Sequence, residues 1–405
     1  MSIYPQNLIN LNKLFTIHTL HIFLYSLLIF MLIGIDASRA NRPAKTGVEW
    51  YSYHLIQELK KIDQKNQYLL YTNLPLGDKL AKCPDNFQQA LLKWPPVRFW
   101  TLIRLSYEMK FGQHKPDLLF VPAHTIPLLN PKKVIVTVHD IGFERFPELY
   151  NWADKLYHKW TIRFIKKHAI KIITVSEFSK KEIMDVYKIP AEKIEVVYNG
   201  FSSDVYKDMH LDKDSARSLL LEKYQIDAPY FMFTGRLEAK KNFERLVKAF
   251  LKFKAKNPQS KYKLVLVGKK GNGFEEVMMK LSLEQEDSDI IYLKYLSSEE
   301  NAFLLNNAEL FIFPSLYEGF GIPVLEAMSC GCPVVCSNTT SLPEVAGEAA
   351  IKFNPENIDL IEKAMETVVF NPEVRQALIE KGFEQSKKFS WEQCATDTLK
   401  IFENV

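Results

Sequence analysis

LFIFPSLYEGFGIPVLEAMSCGCPVVC, residues 310–336, is the stretch of sequence that decides the fold. The apolar runs 310–313 and 333–336 are typical of buried strands. Between these two runs, Pro323 suits the first turn of a helix and Gly331 suits its C-terminal cap. A strand, a helix and a second strand in this order predict one unit of a parallel α/β sheet.

The same alternation of short β-rich runs and helical stretches continues outward in both directions. It breaks at 199–224, where Asn-Gly, Ser-Ser and mixed charges are typical of a connector. We therefore predict two doubly wound, Rossmann-like α/β domains, with a ligand cleft that the carboxyl ends of both sheets face. The predicted strands are 32–36, 68–72, 117–121, 133–139, 171–175 and 194–198 in the first domain, and 230–234, 264–267, 290–293, 310–313, 333–336 and 350–353 in the second.

Composition and charge exclude several classes of protein. The chain has 405 residues, too many for one ordinary core, and 47% of them are hydrophobic, which indicates a folded protein. A net charge of only +4 does not support nucleic-acid binding, and we expect no nucleic-acid partner. The five cysteines have neither the spacing of a zinc site nor that of a disulfide framework, which is typical of a reducing cytoplasm.

The N-terminal segment 1–30 is strongly apolar, and no charged residue occurs from position 14 to position 35. Residues 31–36, however, have the pattern of a first strand that ends in a polar residue. We interpret 1–30 as an extension that is either a membrane anchor or sequence upstream of a translation start at Met31. If it is an anchor, the positive-inside tendency places the body of the protein in the cytoplasm, because most nearby cations follow the segment: Arg39, Arg42 and Lys45. We expect a cytoplasmic body in the other case as well.

Two carboxylates flank a glycine pair in the stretch that decides the fold. Glu318 lies in the loop after the strand, and Glu326 lies where we expect the first turn of the helix. Gly319 and Gly321 between them permit close approach of the backbone to a ligand. A carboxylate can accept hydrogen bonds from two vicinal sugar hydroxyls, and the amides at a helix start suit an anion. Each carboxylate alone is typical of a surface charge, but together with the glycines they indicate a ligand site.

A second cluster follows the predicted strand 230–234. Residues 235–242 read GRLEAKKN, in which Arg236 and Lys241 are cations at the carboxyl end of the strand and Asn242 is a predicted helix cap. The planar fork of arginine and the compact charge of lysine together suit a diphosphate. Taken alone, the pair fits two solvated loop cations equally well.

GRLxxxKN followed by EGFGIPVLEAM resembles the large retaining family of GT-B glycosyltransferases called group 1 or family 4, and the resemblance covers residues 31–402. It implies that Arg236 and Lys241 hold the diphosphate of a nucleotide-sugar donor. It also implies that Glu318 contacts the transferred sugar. The remaining donor-binding residues that it implies are the backbone amides of Gly319, Phe320 and Gly321, the ribose ligand Glu326, and Val324 and Leu325 near the nucleotide.

The N-terminal half supplies matching pieces. Gly47 precedes the first predicted helix and resembles the family's glycine loop, which closes over the donor phosphates. His139 stands at the end of an apolar strand, and the resemblance implies a transition-state role for it beside the donor sugar or the acceptor. His124 is a weaker candidate on the acceptor side. The catalytic set that the resemblance implies is His139, Glu318, Arg236 and Lys241.

The resemblance also implies a domain division and an activity. Residues 31–205 are expected to form the acceptor-side domain, 206–385 the nucleotide-sugar-binding domain, and 386–405 a C-terminal helix that returns to the first domain. The expected reaction is retaining transfer of a hexose, such as mannose or glucose, from a GDP- or UDP-linked donor to a glycan or lipid-linked acceptor. The alternatives left open are a non-catalytic sugar-nucleotide-binding subunit, a GT-B sugar-nucleotide epimerase and a sugar phosphorylase.

Two Asp-x-Asp strings, at 212–214 and 287–289, have the pattern of metal ligands in transferases of another fold. Both lie in polar connectors beside the starts of elements, so we interpret them as helix caps. We expect no metal and no other cofactor, because the nucleotide-diphosphate sugar is a co-substrate whose leaving charge the two cations would meet.

Segments 94–104 and 152–168 mix cations with aromatic residues. In 152–168 a basic residue recurs at every fourth position beside an apolar one. This pattern fits either a solvated helix face beside a core-facing stripe or a surface that rests on anionic lipid. The second alternative implies peripheral contact with the cytoplasmic face of a membrane. The two sets are Lys155, Lys159, Arg163 and Lys167, and Trp152, Leu156, Trp160 and Phe164.

Overall fold

The computed structural model describes residues 31–94, 99–271, 274–280 and 289–405. Within these residues the strands form two parallel sheets, one of seven strands and one of six. Helices cover both faces of the sheets, which is the arrangement that the α/β alternation predicts. The predicted fold class, two Rossmann-like doubly wound domains, is confirmed.

The first sheet has its reversal point beside its first strand. Its strands are β1 (Leu32–Asp36), β2 (Gln67–Thr72), β3 (Phe87–Leu91), β4 (Leu118–Val121), β5 (Val134–Thr137), β6 (Lys171–Thr174) and β7 (Ile194–Val196). The order is β3-β2-β1-β4-β5-β6-β7. The chain therefore builds outward from β1 on one side and then returns to build outward from β4 on the other.

The second sheet repeats this plan with one strand fewer. Its strands are β8 (Tyr230–Thr234), β9 (Lys263–Val267), β10 (Ile290–Leu293), β11 (Leu310–Phe313), β12 (Val334–Ser337) and β13 (Ala350–Phe353). The order is β10-β9-β8-β11-β12-β13, so the reversal lies between β8 and β11.

The helices connect the strands in the order of the chain. Those of the first domain are α1 (Gly47–Ile62), α2 (Ser106–Phe111), α3 (Gly142–Arg145), α4 (Trp152–His168) and α5 (Glu177–Tyr187), and the π-helical segment Thr101–Leu105 leads into α2. The later ones are α6 (Lys213–Tyr224), α7 (Phe243–Lys256), α8 (Phe274–Lys280), α9 (Ser298–Asn307), α10 (Ile322–Ser329), α11 (Leu342–Ala346), α12 (Ile358–Val369), α13 (Pro372–Ser386) and α14 (Trp391–Glu403). Short 3-10 turns lie at Asp78–Ala81, Pro147–Leu149, Ala191–Lys193 and Ala239–Lys241.

Neighbouring residues of β4 show how one strand supports two layers of helices. Leu119 belongs to the same core cluster as Ile162 of α4, whereas Phe120 belongs to the cluster that contains Leu55 of α1. Because successive side chains of a strand point to opposite faces, α4 and α1 cover opposite faces of the first sheet. Strands that are buried on both faces need continuous apolar runs, which explains why these strands were visible in the sequence.

The last helix, α14, packs on α1 of the first domain. Trp391 and Phe402 lie in the same core cluster as Tyr51 and Leu55, and the Trp391 ring stacks on His54 with 5.1 Å between centroids. The chain thus crosses between the two domains twice, once after β7 and once before α14. Two crossings restrict how the domains can move against each other.

Sequence reasoning missed β3, the edge strand of the first sheet. Its Gln88 and Gln89 are exposed, whereas Phe87 and Ala90 are buried. An edge strand is partly solvated and tolerates polar residues, so it has no continuous apolar run. The predicted strands are all present, although those predicted at 133–139, 171–175 and 194–198 end one or two residues earlier, at Thr137, Thr174 and Val196.

The predicted first strand at 32–36 is confirmed as β1. The extension 1–30, interpreted as an anchor or upstream sequence, lies outside the described residues. Among the residues that the structure does describe, no helix combines the length and the apolar character needed to span a bilayer.

Candidate functional site

The carboxyl edge of the second sheet brings the two predicted motifs together. Strand β8 ends at Thr234 and leads into Gly235 and Arg236. The adjacent strand β11 ends at Phe313 and leads into the loop that carries Glu318. The chain proceeds from β8 to one side of the sheet and from β11 to the other. Because these connections diverge, a ligand crevice opens between them.

Lys241 and Glu318 form an ion pair in this crevice, with 2.5 Å between Lys241 Nζ and Glu318 Oε1. The two side chains are only 17% and 12% exposed, so protein largely shields the pair from water. The Lys241 ammonium also lies over the Phe313 ring, 5.4 Å from its centre. An ammonium has three donors and a carboxylate has two acceptor oxygens, so the pair can bind a phosphate and sugar hydroxyls without separating.

Side chains from α11 and its N-terminal flank fix the loop around Glu318. Ser341 Oγ lies 3.0 Å from Glu318 O and 2.8 Å from Phe320 O, within hydrogen-bonding distance of both carbonyls. Gly321 then starts α10 with a φ of 110°, and a Cβ atom there would lie 2.6 Å from Leu342 Cδ2. Glycine is therefore required at position 321 for both backbone conformation and space.

Gly319 lies where the loop meets the first domain. Its carbonyl oxygen accepts hydrogen bonds from Ser176 Oγ at 2.7 Å and from Ser179 Oγ at 3.3 Å. A Cβ atom at position 319 would lie 2.7 Å from His139 O, so a larger residue would push the two domains apart. This contact brings His139 and the loop of Glu318, which were predicted from opposite halves of the chain, to the same place.

His139 follows β5 and is enclosed by the first domain. Its ring makes an edge contact with Tyr51 at 4.6 Å between centroids, and Nε2 lies 3.2 Å from Pro122 O. Because a carbonyl can only accept, Nε2 carries the proton and the lone pair of a neutral ring is on Nδ1. Burial lowers the pKa of His139, and the contacts with Pro122 and Asp140 oppose this only in part. A neutral ring with an acceptor nitrogen can bind a sugar hydroxyl.

Glu326 lies in the second turn of α10, so its expected place in the first turn is wrong: the helix already begins at Ile322. Burial raises the pKa of Glu326 to about 8, and a hydrogen bond from Tyr206 opposes the shift only partly. Hydroxyl donors of a ligand would favour the ionised form. The position thus suits a carboxylate whose hydrogen-bond donors come from two neighbouring hydroxyls of a bound ligand.

Three of the predicted donor-binding residues have their side chains in the core of the second domain. Phe320 is 4% exposed and packs against Phe389 with 5.7 Å between ring centroids. Val324 and Leu325 are completely buried. Any contact between these residues and a ligand must therefore come from the main chain, as the sequence had already indicated for Phe320.

Arg236 is the most accessible cation of the two motifs, with 63% of its side chain exposed and its Nε 3.4 Å from Glu238 Oε2. Asn242 is the N-cap residue of α7, as predicted, but its side chain makes no capping hydrogen bond. Its amide instead donates to Pro314 O at 3.0 Å and to Pro355 O at 2.7 Å. The residue therefore ties the loop after β8 to the loop after β11, a role that a local capping pattern could not reveal.

Gly47 begins α1 on the first-domain side of the cleft. A Cβ atom at this position would have no neighbour within 4 Å, so the protein's own packing does not require glycine there. Nearby, Arg39 Nη1 and Arg42 Nη1 each lie 3.2 Å from Glu49 Oε1. Sequence reasoning did not predict that Arg39, Arg42 and Glu49 lie beside the candidate site. The available signal was the concentration of cations in the loop that joins β1 to α1.

Lys240 is a second residue that sequence reasoning missed. Burial lowers its pKa, but the carboxylates of Asp140 and Glu318 outweigh this and raise the pKa above its ordinary value. Asp140 belongs to the first domain and Glu318 to the second, so Lys240 lies between carboxylates of both. The signal was the adjacent pair of lysines in GRLEAKKN, of which only Lys241 was selected.

His124 follows β4, next to β1, where the order of the first sheet reverses. Its ring lies 5.0 Å from that of His158 in α4, measured between centroids. Burial lowers the pKa of His124 to about 3, and the neighbouring His158 and Arg39 contribute. Burial also lowers the pKa of His158, so both histidines at this end of the first sheet are neutral at physiological pH.

Asp212 caps α6, as predicted, by accepting a hydrogen bond from the Ser215 amide at 2.9 Å. The cap interpretation is wrong for Asp289, which precedes strand β10 and pairs with Lys254 at 3.0 Å. Asp287 lies outside the described residues. Across the described part of the chain, histidine, cysteine and carboxylate side chains do not gather in groups of three that could hold a metal ion.

Comparisons with known proteins match both halves of the chain. The family models described as "Glycosyltransferase Family 4" and "Glycosyl transferases group 1" match residues 45–205 and 220–385. O-antigen chain mannosyltransferase B of Escherichia coli is 34% identical over 275 residues, which cover 67% of this chain and 70% of that protein. Serotype-specific mannosyltransferase WbdA of Escherichia coli is 31% identical over 274 residues; these cover 67% of this chain but only 31% of WbdA.

A solved structure supports the fold. Sucrose-phosphate synthase from Thermosynechococcus elongatus superposes with a TM-score of 0.69, covering 92% of this chain and 98% of that chain at 18% identity. Such low identity supports the fold alone. The family matches and the 34% identical relative carry the family relationship. The chain therefore belongs to the group 1, or family 4, glycosyltransferases, and its two-domain architecture is the GT-B fold.

Proposed function

We propose that this glycosyltransferase moves mannose, with retention at the anomeric carbon, from a GDP- or UDP-linked donor to a glycan or lipid-linked acceptor. Both relatives described above are mannosyltransferases, and this favours mannose over glucose. We also propose a cytoplasmic location with peripheral membrane contact, because a lipid-linked acceptor would be held in a bilayer.

The observation that carries the proposal is the shielded pair of Lys241 and Glu318 beside the domain contact at Gly319 and His139. A donor in the crevice would meet a cation for its diphosphate and a carboxylate for its sugar hydroxyls within a few ångströms. The opposite wall offers a neutral imidazole. This combination suits a bound nucleotide sugar better than a free phosphate or a free sugar.

In the proposed reaction the bond between the anomeric carbon and the phosphate oxygen breaks, and a bond to the acceptor oxygen forms on the same face. The proton of the acceptor hydroxyl passes to the departing phosphate oxygen, so no side chain has to act as a nucleophile. Negative charge gathers on the diphosphate as the bond breaks. Arg236 and Lys241 would stabilise this charge, and the ion pair with Glu318 would hold Lys241 in position before the donor binds.

The other residues of the proposed site would position the donor. Glu326 would accept hydrogen bonds from the two ribose hydroxyls, which favour its ionised form. Gly47 would let the start of α1 approach the diphosphate closely, since a side chain there would project into open space. The backbone amides at 319–321 would bind the sugar or phosphate oxygens. We propose that the reaction needs no metal ion, because these cations and amides supply the positive charge.

A donor panel tests the proposal. The full-length protein would be incubated with GDP- and UDP-linked mannose, glucose and galactose, and release of the nucleoside diphosphate would be measured with and without a lipid-linked acceptor. We expect one mannose donor to react fastest, and NMR of the product to show an unchanged anomeric configuration. Binding without turnover would favour a non-catalytic subunit, whereas a new nucleotide sugar formed without acceptor would favour an epimerase.

A further inference from the structure

Two helical segments of the first domain expose large apolar side chains at every fourth position. Ile103, Tyr107 and Phe111 form one stripe, along Thr101–Leu105 and α2. Trp152, Leu156 and Trp160 form the other, along α4, and the exposed fractions of all six side chains lie between 40% and 77%. The alternative that the apolar residues of 152–168 face the protein core is therefore wrong for Trp152, Leu156 and Trp160.

Both stripes belong to one side of the molecule. The buried residues Leu105 and Met109 share a core cluster with Ile162 and Ile165 of α4, so both helices cover the same face of the first sheet.

The loop after β4 joins the two stripes. The amides of Leu128 and Leu129 donate to Ser106 Oγ of α2 at 2.7 and 3.3 Å, and Thr125 Oγ1 lies 3.0 Å from the Tyr157 hydroxyl of α4. Leu128 and Leu129 are themselves exposed. We call the exposed apolar residues of 103–111, 128–129 and 152–160 the aromatic face.

The charge around the aromatic face selects its partner. Segments 103–111, 124–133 and 152–168 contain nine lysines and arginines but only two carboxylates, Glu108 and Asp154. Glu108 is paired with Arg104 at 3.1 Å, and Lys159 is paired with Glu144 of the neighbouring α3 at 3.0 Å, which leaves seven of the nine cations outside these two ion pairs. The whole chain has a net charge of only +4, so positive charge is concentrated here. Apolar and aromatic side chains rimmed by cations match the interface of an anionic bilayer, whereas a second, equally cationic copy of the face would repel it.

We propose that the aromatic face rests on the surface of an anionic phospholipid bilayer, with Trp152 and Trp160 at the level of the headgroups. Tryptophan favours this depth because its ring is apolar and its N–H is polar. The face borders the acceptor-side crevice, since the hydroxyl that contacts Thr125 belongs to α4 and His124 contacts His158 of the same helix. Resting on the bilayer, the face holds the crevice open towards a lipid-linked acceptor; this last step depends on the proposed function.

Fluorescence quenching tests the docking without any need for turnover. Full-length protein would be mixed with vesicles of phosphatidylcholine and brominated phosphatidylglycerol. We expect the brominated lipid to quench the tryptophan fluorescence of the wild type. Most of this quenching should be lost in Trp152→Phe/Trp160→Phe, whereas Trp50→Phe should be quenched as strongly as the wild type. The substitution by phenylalanine keeps the face apolar, and Trp50 is an exposed tryptophan on α1, on the opposite face of the sheet. Unchanged quenching in the double variant would overturn the proposal, whatever other segment tethers the chain.

A charge reversal tests the choice of lipid. Arg163→Glu/Lys167→Glu should raise the vesicle concentration needed for half-maximal quenching at least about tenfold, since the reversal replaces attraction to anionic lipid by repulsion at two positions. Lys213→Glu/Arg217→Glu has the same spacing on exposed α6 and is the matched control, which should bind like the wild type. Equal effects of both pairs would contradict a specific face. A dimer that forms in solution and is lost in Tyr107→Ser/Phe111→Ser would show that a second copy occupies the face instead.

Transfer assays separate the docking from the proposed reaction. The charge-reversed variant should transfer sugar normally to a soluble acceptor fragment but more slowly to the same acceptor in vesicles. Equal rates on both acceptors would sever the link between docking and acceptor delivery. If no donor reacts with either acceptor while quenching persists, the proposed function is contradicted but binding of the aromatic face to the bilayer is supported.

Discussion

The two walls of the cleft, which we propose to hold the donor and the acceptor, are built from the same fold in opposite ways. On the donor side, Lys241 and Glu318 are charged and neutralise each other across 2.5 Å. On the acceptor side, burial lowers the pKa of His124 and of His139, so both rings are neutral at physiological pH. A shielded ion pair suits a diphosphate, whereas neutral imidazoles suit an uncharged hydroxyl. The first domain also carries charge beside the cleft, in the ion pairs of Arg39 and Arg42 with Glu49, so its neutral histidines, and not an absence of charge, distinguish its side.

Removing a donor-side cation should have the largest effect. Arg236→Ala or Lys241→Ala should lower kcat about a hundredfold or more, because each removes a positive charge from the place where leaving-group charge gathers. Steady-state rates at saturating donor and acceptor measure this, with circular dichroism to check the fold. Lys248→Ala, which breaks an ion pair with Glu244 on the surface of α7, is the control and should keep the wild-type rate. Near-normal rates in both donor-side variants would remove these residues from the mechanism.

Lys241→Ala has a second consequence that separates stability from catalysis. It leaves the shielded carboxylate of Glu318 without its 2.5 Å partner, which should lower the free energy of unfolding by about 3–5 kcal/mol. The double variant Lys241→Ala/Glu318→Gln should recover much of this stability without recovering activity. Recovery of both would mean that the pair only stabilises the fold.

The next largest effect should come from Glu326→Gln, which weakens the grip on the donor. Loss of a charged acceptor for two hydroxyls should raise the donor KM about tenfold or more, with a smaller change in kcat. Initial rates over a range of donor concentrations measure the two constants. An equal rise in KM for donors with and without a ribose 2′-hydroxyl would contradict contact between Glu326 and the ribose.

The stability of the same variant relative to the wild type should increase with pH. Burial raises the pKa of Glu326 from 4.5 to about 8, so between these values only the unfolded chain ionises and releases the proton. The stability of the wild type is therefore reduced progressively as pH rises through this window, and the reduction is complete above about 8. Urea unfolding at several pH values should show the advantage of Glu326→Gln growing with pH. Glu384→Gln, at an exposed position of α13, should show no such trend.

Gly47→Ala should separate ligand contact from protein packing. Because nothing lies within 4 Å of the added methyl group, the fold should be unharmed and the stability unchanged or raised by about 0.4–1 kcal/mol. If the donor diphosphate approaches this backbone, kcat/KM should still fall about tenfold through misplacement of the donor. Wild-type kinetics in a stable Gly47→Ala protein would rule out that close approach.

A substitution on the acceptor side should have a smaller effect that is confined to the acceptor. His124→Gln should raise the acceptor KM about threefold to tenfold, since it alters one neutral contact. Hydrolysis of the donor in the absence of acceptor should be unchanged and serves as the internal control. A matching loss of donor hydrolysis would show that the two sides of the cleft are not separate in function.

Chelation should have the smallest effect of all. Because cations and backbone amides are proposed to meet the charge of the diphosphate, EDTA should leave the rate of transfer unchanged. The assay compares rates before and after dialysis against the chelator, with magnesium or manganese added back. Loss of activity that either metal restores would require a metal on the donor side.

The sequence by itself determined the succession of elements and the residues at the strand ends. Buried parallel strands need continuous apolar runs, and GRLEAKKN and EGFGIPVLE directly follow two such runs. The prediction failed where the physical signal is weak: β3 is a half-solvated edge strand, and Glu326, which lies just beyond the first turn of α10, was assigned to that turn. Helix ends depend on contacts such as that of Gly321 with Leu342, which local sequence does not encode.

Only the tertiary structure decided which polar residues meet and which apolar ones stay uncovered. Lys241 and Glu318 are 77 positions apart, and they meet because β8 and β11 are neighbours at the reversal of the sheet. For the same reason the side chain of Asn242, at the N-cap of α7, bonds to neighbouring loops and not to its own helix. The pattern of Trp152 and Leu156 indicated a shared helix face but not whether that face would meet protein or solvent. Periodicity records which residues point together, and only packing decides what they point at.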